Sequence, residues 1–312
     1  MKILIWQSAY LGDVVLTTPL IRTLKRHFPS SQVAFAGRSF IRELLKGLDV
    51  ELITFDKGFW ESFEVIEKLR EYHIAISPHI SARSALILFF AGVPTRIGFD
   101  RSELKWLYTH IVKHRWGIHE VDRNLELLKP LGIREFERMP YLYVSDEEKK
   151  RVRDKFRLPE SFAVLSPFSN FRLKEWNIDR WLELSKRLSI TPVIVGADTQ
   201  RASIFDKVEG INLIGKTSLR ELMAVISLSK VVISCDSAPV HIANALGVPA
   251  LSVYTATSPD YGFYPLIGGY VKPKLYCSPC SPNPKVCKTG TQACLSMVGV
   301  GDVLKGLERL LS

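Results

Sequence analysis

Residues 6–29 of the sequence read "WQSAYLGDVVLTTPLIRTLKRHFP" and indicate the fold class. This stretch continues the apolar run KILIW and passes through Gly12-Asp13 into a segment with the periodicity of an amphipathic helix, predicted near 16–27. A buried strand, a tight turn and a helix are the start of a βαβ unit, and in an open parallel sheet that turn lies at the edge where ligands bind. The sequence therefore puts a carboxylate, Asp13, at a candidate binding edge, where it either caps the helix or takes a proton.

The same alternation of short apolar runs and helical stretches continues along the chain and restarts after a charged linker. The predicted strands of the first half are KILIWQ, QVAFAG, ELITF, IAISPH and TRIGFD, with helices near 16–27, 39–47, 59–72 and 81–91. Those of the second half are FAVLSP, PVIVGA, INLIG, VVISCD and ALSVY. Ser218 and Glu221 form a capping box at the start of one helix between them. This pattern predicts an α/β protein with two doubly wound parallel-sheet domains that face a cleft.

The predicted domains are residues 1–156 and 157–312, divided at the linker "RLPESF" (157–162). The last predicted helix, about 301–311, is a candidate to pack back on the first domain. No G-x-G-x-x-G fingerprint and no Walker loop is present in the sequence, which disfavours a dinucleotide dehydrogenase or a P-loop enzyme.

The composition favours an acidic partner. The 312 residues carry a formal net charge of +10, which suits phosphorylated substrates, an anionic membrane surface or nucleic acid. The basic residues are scattered, and "KKRVRDKFR" (149–157) has the spacing of a solvated helix face. No nucleic-acid-binding motif accompanies them, so phosphate or a membrane surface is favoured over nucleic acid. With no signal peptide recognised and "ALILFFAGV" (85–93) about half the length of a membrane span, we expect a cytoplasmic protein that touches the membrane without crossing it.

Two segments of the second half place polar residues after predicted strands. In "FAVLSPFSNFRLKEWNIDRWLEL" (162–184), Lys174 follows a strand in a polar loop, where a lysine suits phosphate oxygens but is equally a surface charge. In "VVISCDSAPVHIANALGVPALSVYTATSPD" (231–260), a strand ends at Asp236 and a helix opens with Pro239 in its first turn. Its free N–H groups and dipole form an anion site. The alternative is that Asp236 caps the helix and His241 is a packed core residue.

Together these segments resemble the family 9 glycosyltransferases, the ADP-heptose:lipopolysaccharide heptosyltransferases. The resemblance covers nearly the whole chain in order. It rests on "GDVVLTTPLIRTLKRHFPSSQV" (12–33), "RSALILFFAGVPTRIGFD" (83–100), "HEVDRNLELLKPLG" (119–132), "FSNFRLKEWNIDRW" (168–181), "GKTSLRELMAVI" (215–226) and "CDSAPVHIANALGVP" (235–249). It implies a GT-B fold of two Rossmann-like domains, with the acceptor on the first and the nucleotide sugar on the second. It also implies inverting transfer of heptose from ADP-heptose to the lipopolysaccharide inner core.

The resemblance also implies roles for single residues. Asp13 matches the general base, and Lys174 matches a contact to the donor phosphates. The implied donor site is Ser169, Asn170, Asp236, Ser237, Ala238 and His241, with Gln200 or Asp198 near the ribose. Because the acceptor is a phosphorylated lipid A–Kdo or heptose saccharide, basic residues of the first domain are expected to bind it beside Gly12. The candidates are Arg38, Arg42, Arg83, Arg96 and Arg101.

Two departures from the family pattern affect the donor site. The family usually has glycine at the position of Ala238, and alanine fits there if its φ is negative. The segment "YTATSPD" (254–260) replaces a more usual glycine-containing one, which makes the sugar less certain than the fold.

The cysteine-rich segment "CSPCSPNPKVCKTGTQAC" (277–294) holds Cys277, Cys280, Cys287 and Cys294. A zinc site is one interpretation, but the spacing is looser than in common zinc modules, and a structural loop is preferred. A similar loop resembles that of the heptosyltransferase II type. No Asp-x-Asp element is present in the sequence, so no divalent metal or other cofactor is expected. The remaining alternatives are a GT-B transferase that uses another nucleotide sugar, a non-catalytic nucleotide or glycolipid binder, and a zinc-bearing nucleic-acid protein.

Overall fold

The computed structural model of the chain describes residues 1–56 and 58–311. The chain divides into two compact units, Met1–Tyr143 and Val144–Ser312. Each unit is built on one six-stranded sheet in which the paired strands run parallel.

The sheet of the first unit has the strand order β3-β2-β1-β4-β5-β6. Its strands are β1 (Lys2–Trp6), β2 (Gln32–Gly37), β3 (Glu51–Thr54), β4 (Ile74–Ser77), β5 (Thr95–Phe99) and β6 (His110–Val112). Its helices are α1 (Leu11–His27), α2 (Ile41–Leu44), α3 (Phe59–Leu69), α4 (Ala82–Phe90) and α5 (Glu120–Glu126), with 3-10 turns at Lys105–Leu107 and Lys129–Leu131.

The sheet of the second unit repeats this order as β12-β11-β10-β7-β8-β9. Its strands are β7 (Phe162–Ser166), β8 (Thr191–Ile194), β9 (Ile211–Asn212), β10 (Val231–Cys235), β11 (Ala250–Val253) and β12 (Gly268–Val271). Its helices are α6 (Asp146–Phe156), α7 (Ile178–Arg187), α8 (Leu219–Leu228), α9 (Ala238–Ala245), α10 (Cys294–Met297) and α11 (Val300–Leu311), with 3-10 turns at Arg172–Lys174, Thr199–Phe205 and Pro259–Tyr261.

Each sheet contains one topological switch point. The chain leaves β1 toward β2 and β3, and then returns to place β4 on the other side of β1. In the second unit β7 is followed by β8 and β9 on one side, and β10 lies on the other. Ligands of open α/β sheets bind at the carboxyl ends of the two strands that flank such a point. The expected edges are therefore β1/β4 in the first unit and β7/β10 in the second.

The central strands explain why the sequence adopts this fold. All residues of β7 and β10 are buried, as are four of the five residues of β1, which reads KILIW. Such near-continuous apolar strands are typical of parallel sheets covered by helices on both faces. The predicted α/β fold with two Rossmann-like sheets is confirmed.

The edge strands and the first helix differ from the prediction. Helix α1 begins at Leu11, so Gly12 and Asp13 belong to its first turn and not to a turn before it. The strands β6 and β12 were not predicted. Both lie at sheet edges and are partly exposed, and their sequences HIV and GGYV lack the apolar run that marks the central strands.

The division between the units lies before α6, and not at 156/157 as the sequence suggested. Helix α6 packs against α8, and the Arg220 Nε of α8 donates to Glu148 Oε1 of α6 at 3.0 Å. Because the side chains of Arg220 and Glu148 are both largely buried, this pair ties the charged helix to the second unit. The last helix, α11, packs against β11, β12 and α7 of the same unit.

None of the helices in the described part of the chain is both long and apolar enough to cross a membrane.

Candidate active site

Asp13 lies in the first turn of α1, directly after the carboxyl end of β1. The backbone N–H of Tyr10 donates to Asp13 Oδ2 at 3.2 Å, so the carboxylate helps to close the helix N-terminus. This is the structural role that the sequence allowed. It is compatible with a second role, because a carboxylate has two oxygens and about four acceptor positions. The side chain is partly exposed, and it therefore remains accessible at the ligand-binding edge.

The loop after β4 meets the loop after β1 at the switch point. Ser8 Oγ lies 2.9 Å from His79 Nδ1, and the same ring nitrogen lies 3.2 Å from Ser84 Oγ at the start of α4. The Ser84 hydroxyl also accepts a hydrogen bond of 2.9 Å from Trp6 Nε1. This network fixes the two loops beside Asp13. Sequence reasoning missed it, because Ser8 and His79 are 71 residues apart and neither belongs to a recognisable motif.

Four of the five candidate acceptor arginines lie toward the carboxyl edge of the first sheet. Arg38 directly follows β2, Arg83 is in the first turn of α4 and Arg101 follows β5. Arg42 lies in α2, where Nη2 donates to Thr54 Oγ1 at 2.7 Å at the end of β3. The role of these four arginines in acceptor binding stays a prediction.

Arg96 is the exception. It is the second residue of β5, toward the amino end of the strand. Its Nε donates to the carbonyl oxygen of Leu107 at 2.7 Å and its guanidinium stacks on Phe89 at 5.5 Å from the ring centroid. Burial lowers the pKa of this guanidinium. Arg96 therefore holds the 3-10 turn at Lys105–Leu107 against α4, and we assign it a structural role and not acceptor binding.

A buried ion pair lies at the start of α5, in the segment 119–132. Glu120 is 9% exposed and pairs with Arg123, which is 2% exposed. Burial raises the pKa of Glu120 to about 7, the nearby Arg123 charge opposes this rise, and the charge of Asp13 adds to it. Sequence reasoning missed Glu120 because an acid at the first position of a helix is usually a dipole partner on the surface.

In the second unit, Lys174 and Asp236 lie together at the switch point, although they follow different strands. Lys174 Nζ lies 2.9 Å from Asp236 Oδ2. Their side chains are only 14% and 9% exposed, so the pair is largely removed from water. Lys174 follows β7 and Asp236 directly follows β10. The predicted donor residues Lys174 and Asp236 are thus brought together at the expected edge.

The N-terminus of α9 lies next to this pair. Ser237 is the residue before the helix, and its hydroxyl lies 2.9 Å from Ser234 Oγ and makes no hydrogen bond to the helix N–H groups. Ala238 is the first helical residue and is not among the residues with positive φ, so alanine is accommodated at a position where the family has glycine. His241 is 5% exposed and its ring lies 6.2 Å from that of Phe263. Burial of His241 fits the packed alternative as well as a place beside the anion site.

The loop that carries Lys174 is held by a second network. Glu175 accepts a hydrogen bond from the Ser169 N–H at 3.0 Å and two from Arg201, at 2.7 and 2.9 Å. Arg201 also donates from Nε to Asp198 Oδ2 at 2.8 Å, and this hydrogen bond lowers the pKa of Asp198. Arg201, which follows β8, thereby anchors Glu175 and the loop that carries Lys174. Neither Glu175 nor Arg201 was predicted from the sequence.

Three predicted donor residues in this region differ in their exposure to solvent. Ser169 is partly buried in the loop after β7, and Asn170 beside it is exposed. Gln200 is exposed in the 3-10 turn Thr199–Phe205 after β8. All three lie at the carboxyl edge of the second sheet. Of the two ribose candidates, Asp198 already accepts a hydrogen bond from Arg201. Gln200 is therefore the better candidate for the ribose.

The cysteine-rich segment packs against the Lys174 loop. Cys280, Cys287 and Cys294 form one cluster with Leu173 and Ala256. The Cys280 N–H donates to the Ala256 carbonyl oxygen at 2.8 Å, and the Ala256 N–H donates to the Leu173 carbonyl oxygen at 3.2 Å. Through Ala256, the segment therefore supports Leu173, the residue before Lys174. This contact agrees with the interpretation of the cysteine-rich segment as a structural loop.

The thiols of this segment have different environments. Burial raises the pKa of Cys294 to about 11, whereas a hydrogen bond from Thr289 lowers the pKa of Cys287 to about 7. Within residues 1–56 and 58–311, no group of three or more His, Cys, Asp or Glu side chains is placed to hold a metal ion. The absence of a bound metal in the working protein stays a prediction.

Comparison with known proteins agrees with this geometry. The model of glycosyltransferase family 9 (heptosyltransferase) matches residues 63–288. Lipopolysaccharide heptosyltransferase 3 of Escherichia coli K12 is 26% identical over 290 residues, with 82% of each chain covered. Lipopolysaccharide heptosyltransferase 2 of the same strain is 27% identical over 296 residues, with 84% of each chain covered. The solved structure of E. coli ADP-heptose lps heptosyltransferase II superposes with a TM-score of 0.82 at 24% identity, covering 100% of this chain and 98% of that one.

The superposition confirms the predicted GT-B fold, and the family match spans well over half of the chain. The resemblance read from the sequence is thereby confirmed, and the protein is an enzyme of the glycosyltransferase class. The chain belongs to glycosyltransferase family 9, the heptosyltransferases.

Proposed function

We propose that this enzyme transfers heptose from ADP-heptose to the inner core of lipopolysaccharide, with inversion at the anomeric carbon. The observation that carries the proposal is the Lys174–Asp236 pair at 2.9 Å, at the switch point of the second sheet and next to the N-terminus of α9. The family and the relatives named above support heptose as the sugar.

The second unit is proposed to bind ADP-heptose. The Lys174 ammonium and the N–H groups at the start of α9 suit the two phosphates, whose leaving oxygen gains negative charge as the sugar departs. The Asp236 carboxylate is not suited to contact the phosphates directly, because two anionic groups repel each other. It is suited instead to accept hydrogen bonds from the sugar hydroxyls, while it holds Lys174 in place before the donor arrives.

The first unit is proposed to bind the acceptor and to supply the base. The proposed acceptor is a phosphorylated lipid A–Kdo or heptose saccharide, and Arg38, Arg42, Arg83 and Arg101 are proposed to bind its anionic groups beside Gly12. The acceptor hydroxyl oxygen forms a bond to the anomeric carbon as the bond from that carbon to the diphosphate oxygen breaks. The hydroxyl proton passes to Asp13, and ADP leaves with the bonding electron pair.

No divalent metal takes part in this proposal. The cation Lys174 and the helix N-terminus provide the charge stabilisation that a metal provides in other glycosyltransferases. We also propose that the enzyme works at the cytoplasmic face of the inner membrane as a peripheral protein, because the acceptor is a lipid and the chain carries a net charge of +10.

A donor screen tests the proposed function. The purified enzyme is incubated with a defined lipid A–Kdo acceptor, with and without a first heptose, and with single nucleotide sugars including ADP-heptose. Mass spectrometry then identifies the product. Heptosylated acceptor from ADP-heptose alone is the expected result, and the acceptor that reacts identifies the step. Transfer only from another nucleotide sugar would contradict the proposed donor, and binding without transfer or hydrolysis would favour the non-catalytic alternative.

A further inference from the structure

Helix α5 brings a second carboxyl group to the first turn of α1. The side-chain amide of Asn124 donates to the carbonyl oxygen of Leu16 at 3.2 Å, where α5 packs on α1. One helical turn before this contact lie Asp13 on α1 and Glu120 on α5. The charge of Asp13 raises the pKa of Glu120, so the two carboxyl groups are close enough to interact.

Glu120 is held rigidly in this position. Its carboxylate pairs with Arg123 one turn further along α5, and both side chains are largely buried. Arg123 is fixed in turn, because its Nε donates to the Arg115 carbonyl oxygen at 2.8 Å and its Nη2 to the Ile118 carbonyl oxygen at 3.3 Å. Glu120 is thus a fixed carboxyl group beside the candidate base, and the proposed mechanism gives it no role.

We propose that Glu120 is a positioning residue that acts through Asp13, because its buried carboxylate favours proton uptake by Asp13 in the transfer step. This inference rests on the proposed function of Asp13 as the base. It makes Glu120 a determinant of the pH dependence of the enzyme.

The physical reason is repulsion between two carboxylates at a partly buried site. When Asp13 and Glu120 are both charged, they repel each other, and the proton that Asp13 takes from the acceptor hydroxyl removes this repulsion. An ionised Glu120 thereby makes Asp13 a better base. The same repulsion acts in the other direction, because the charge of Asp13 contributes to the raised pKa of Glu120, which is about 7.

Besides Asp13, the titratable and charged groups around Glu120 are Arg123, His114 and His119. Arg123 on α5 is the ion-pair partner of Glu120. His114, from the loop before α5, is neutral near neutral pH, because burial and the charges of Arg123 and Arg101 lower its pKa to about 4. His119 precedes Glu120, and its Nδ1 accepts a hydrogen bond from the Val121 N–H at 3.1 Å, which caps α5. The assignment of an inflection near pH 7 to Glu120 therefore depends on the loss of that inflection in Glu120→Gln.

The first experiment measures the coupling without any substrate. The glutamate side-chain carboxyl carbons are labelled with ¹³C and titrated by NMR, and the Glu120 signal is assigned by its loss in Glu120→Gln. We expect Glu120 to titrate near pH 7 in the unaltered protein and at lower pH in Asp13→Asn, where the Asp13 charge is gone. The same titration pH in both proteins would overturn the proposal. This outcome is independent of whether ADP-heptose is the donor.

The second experiment measures transfer as a function of pH. In the unaltered enzyme kcat/KM should rise with pH through an inflection near 7, as Glu120 ionises. Glu120→Gln should remove this inflection and lower kcat above pH 7 by about 3- to 10-fold, since one pKa unit corresponds to a tenfold change. Asp122→Asn is the matched control, because it removes an acid from the same helix that pairs with Arg138 at the surface. It should leave the profile unchanged.

A purely structural role would lower the melting temperature of Glu120→Gln and leave the shape of the pH profile intact, and that result would overturn the proposal. Because Glu120→Gln leaves Arg123 buried without its partner charge, Glu120→Gln with Arg123→Leu serves as the second variant. It should also lack the inflection. An unaltered enzyme with no transfer from ADP-heptose would contradict the proposed function, while the NMR titration would still decide the coupling.

Discussion

Replacing Lys174 with alanine is expected to change both the stability and the donor affinity of the enzyme, by amounts that the structure allows us to work out. The lysine lies 2.9 Å from Asp236, and the two side chains are 14% and 9% exposed. Removing one partner of a buried pair costs about 3–5 kcal/mol, because the other charge remains buried without compensation. Since some solvent reaches this pair, we take the lower end, about 3 kcal/mol. For a unit of this size that corresponds to a melting temperature lower by about 6–12 °C.

The same substitution should weaken ADP binding. A hydrogen bond to a charged group contributes about 1.5–3 kcal/mol, which is about 10- to 100-fold in the Kd for ADP. Because the diphosphate gains charge in the transition state, kcat should fall as well, on the order of 10²-fold. The assays are isothermal titration calorimetry with ADP below the melting temperature of the variant, and initial rates at saturating ADP-heptose.

Lys155→Ala is the matched control for Lys174→Ala. Lys155 also pairs with a carboxylate of the second unit, Glu221, but its side chain is 50% exposed. Its loss should cost no more than about 1 kcal/mol and leave ADP affinity unchanged. If Lys174→Ala lowers the melting temperature and calorimetry finds its ADP affinity unaltered, Lys174 has only a structural role and does not bind the donor phosphates.

Three further predictions concern the acceptor, the donor helix and the cysteine loop. Arg83→Ala should raise the acceptor KM and leave the ADP-heptose KM nearly unchanged; equal effects on both would contradict acceptor binding by Arg83. His241→Ala should weaken ADP binding less than Lys174→Ala does, because a histidine carries at most a partial charge near neutral pH, and a larger loss by calorimetry would make His241 the principal phosphate contact. The purified protein should contain less than one zinc per chain by elemental analysis and keep full activity in chelator. Zinc that is stoichiometric and resists dialysis, with activity lost on its removal, would show that the cysteine loop is a metal site.

The sequence was sufficient to predict the fold because its central strands are continuous apolar runs. Strands such as KILIW and VVISC are buried on both faces, and this requires a composition that is recognisable without tertiary information. The edge strands β6 and β12 are partly exposed, so their sequences need not be apolar, and they were missed. The division between the units was placed too late because α6 is highly charged, and only its packing on α8 shows where it belongs.

The candidate site was predictable where it depends on strand ends and unpredictable where it depends on side-chain packing. Lys174 and Asp236 each follow a strand, so their position at the sheet edge could be read from the sequence. The contact between them could not, because it depends on the order of the strands. Glu120 was missed for a related reason. Nothing in the sequence distinguishes a first-turn glutamate on the surface from one that is buried against another helix beside Asp13.

The Asp13→Asn variant tests whether Asp13 removes the proton from the acceptor. Asparagine keeps the shape of aspartate and can still accept the hydrogen bond from the Tyr10 N–H, so the unfolding free energy should change by less than about 1 kcal/mol. A positioned base contributes on the order of 10² to 10⁴ in rate. We therefore expect kcat to fall by about that factor with unchanged ADP affinity and melting temperature, whereas Asp13→Ala should lose stability in addition. An Asp13→Asn enzyme with near-normal turnover would rule out Asp13 as the base.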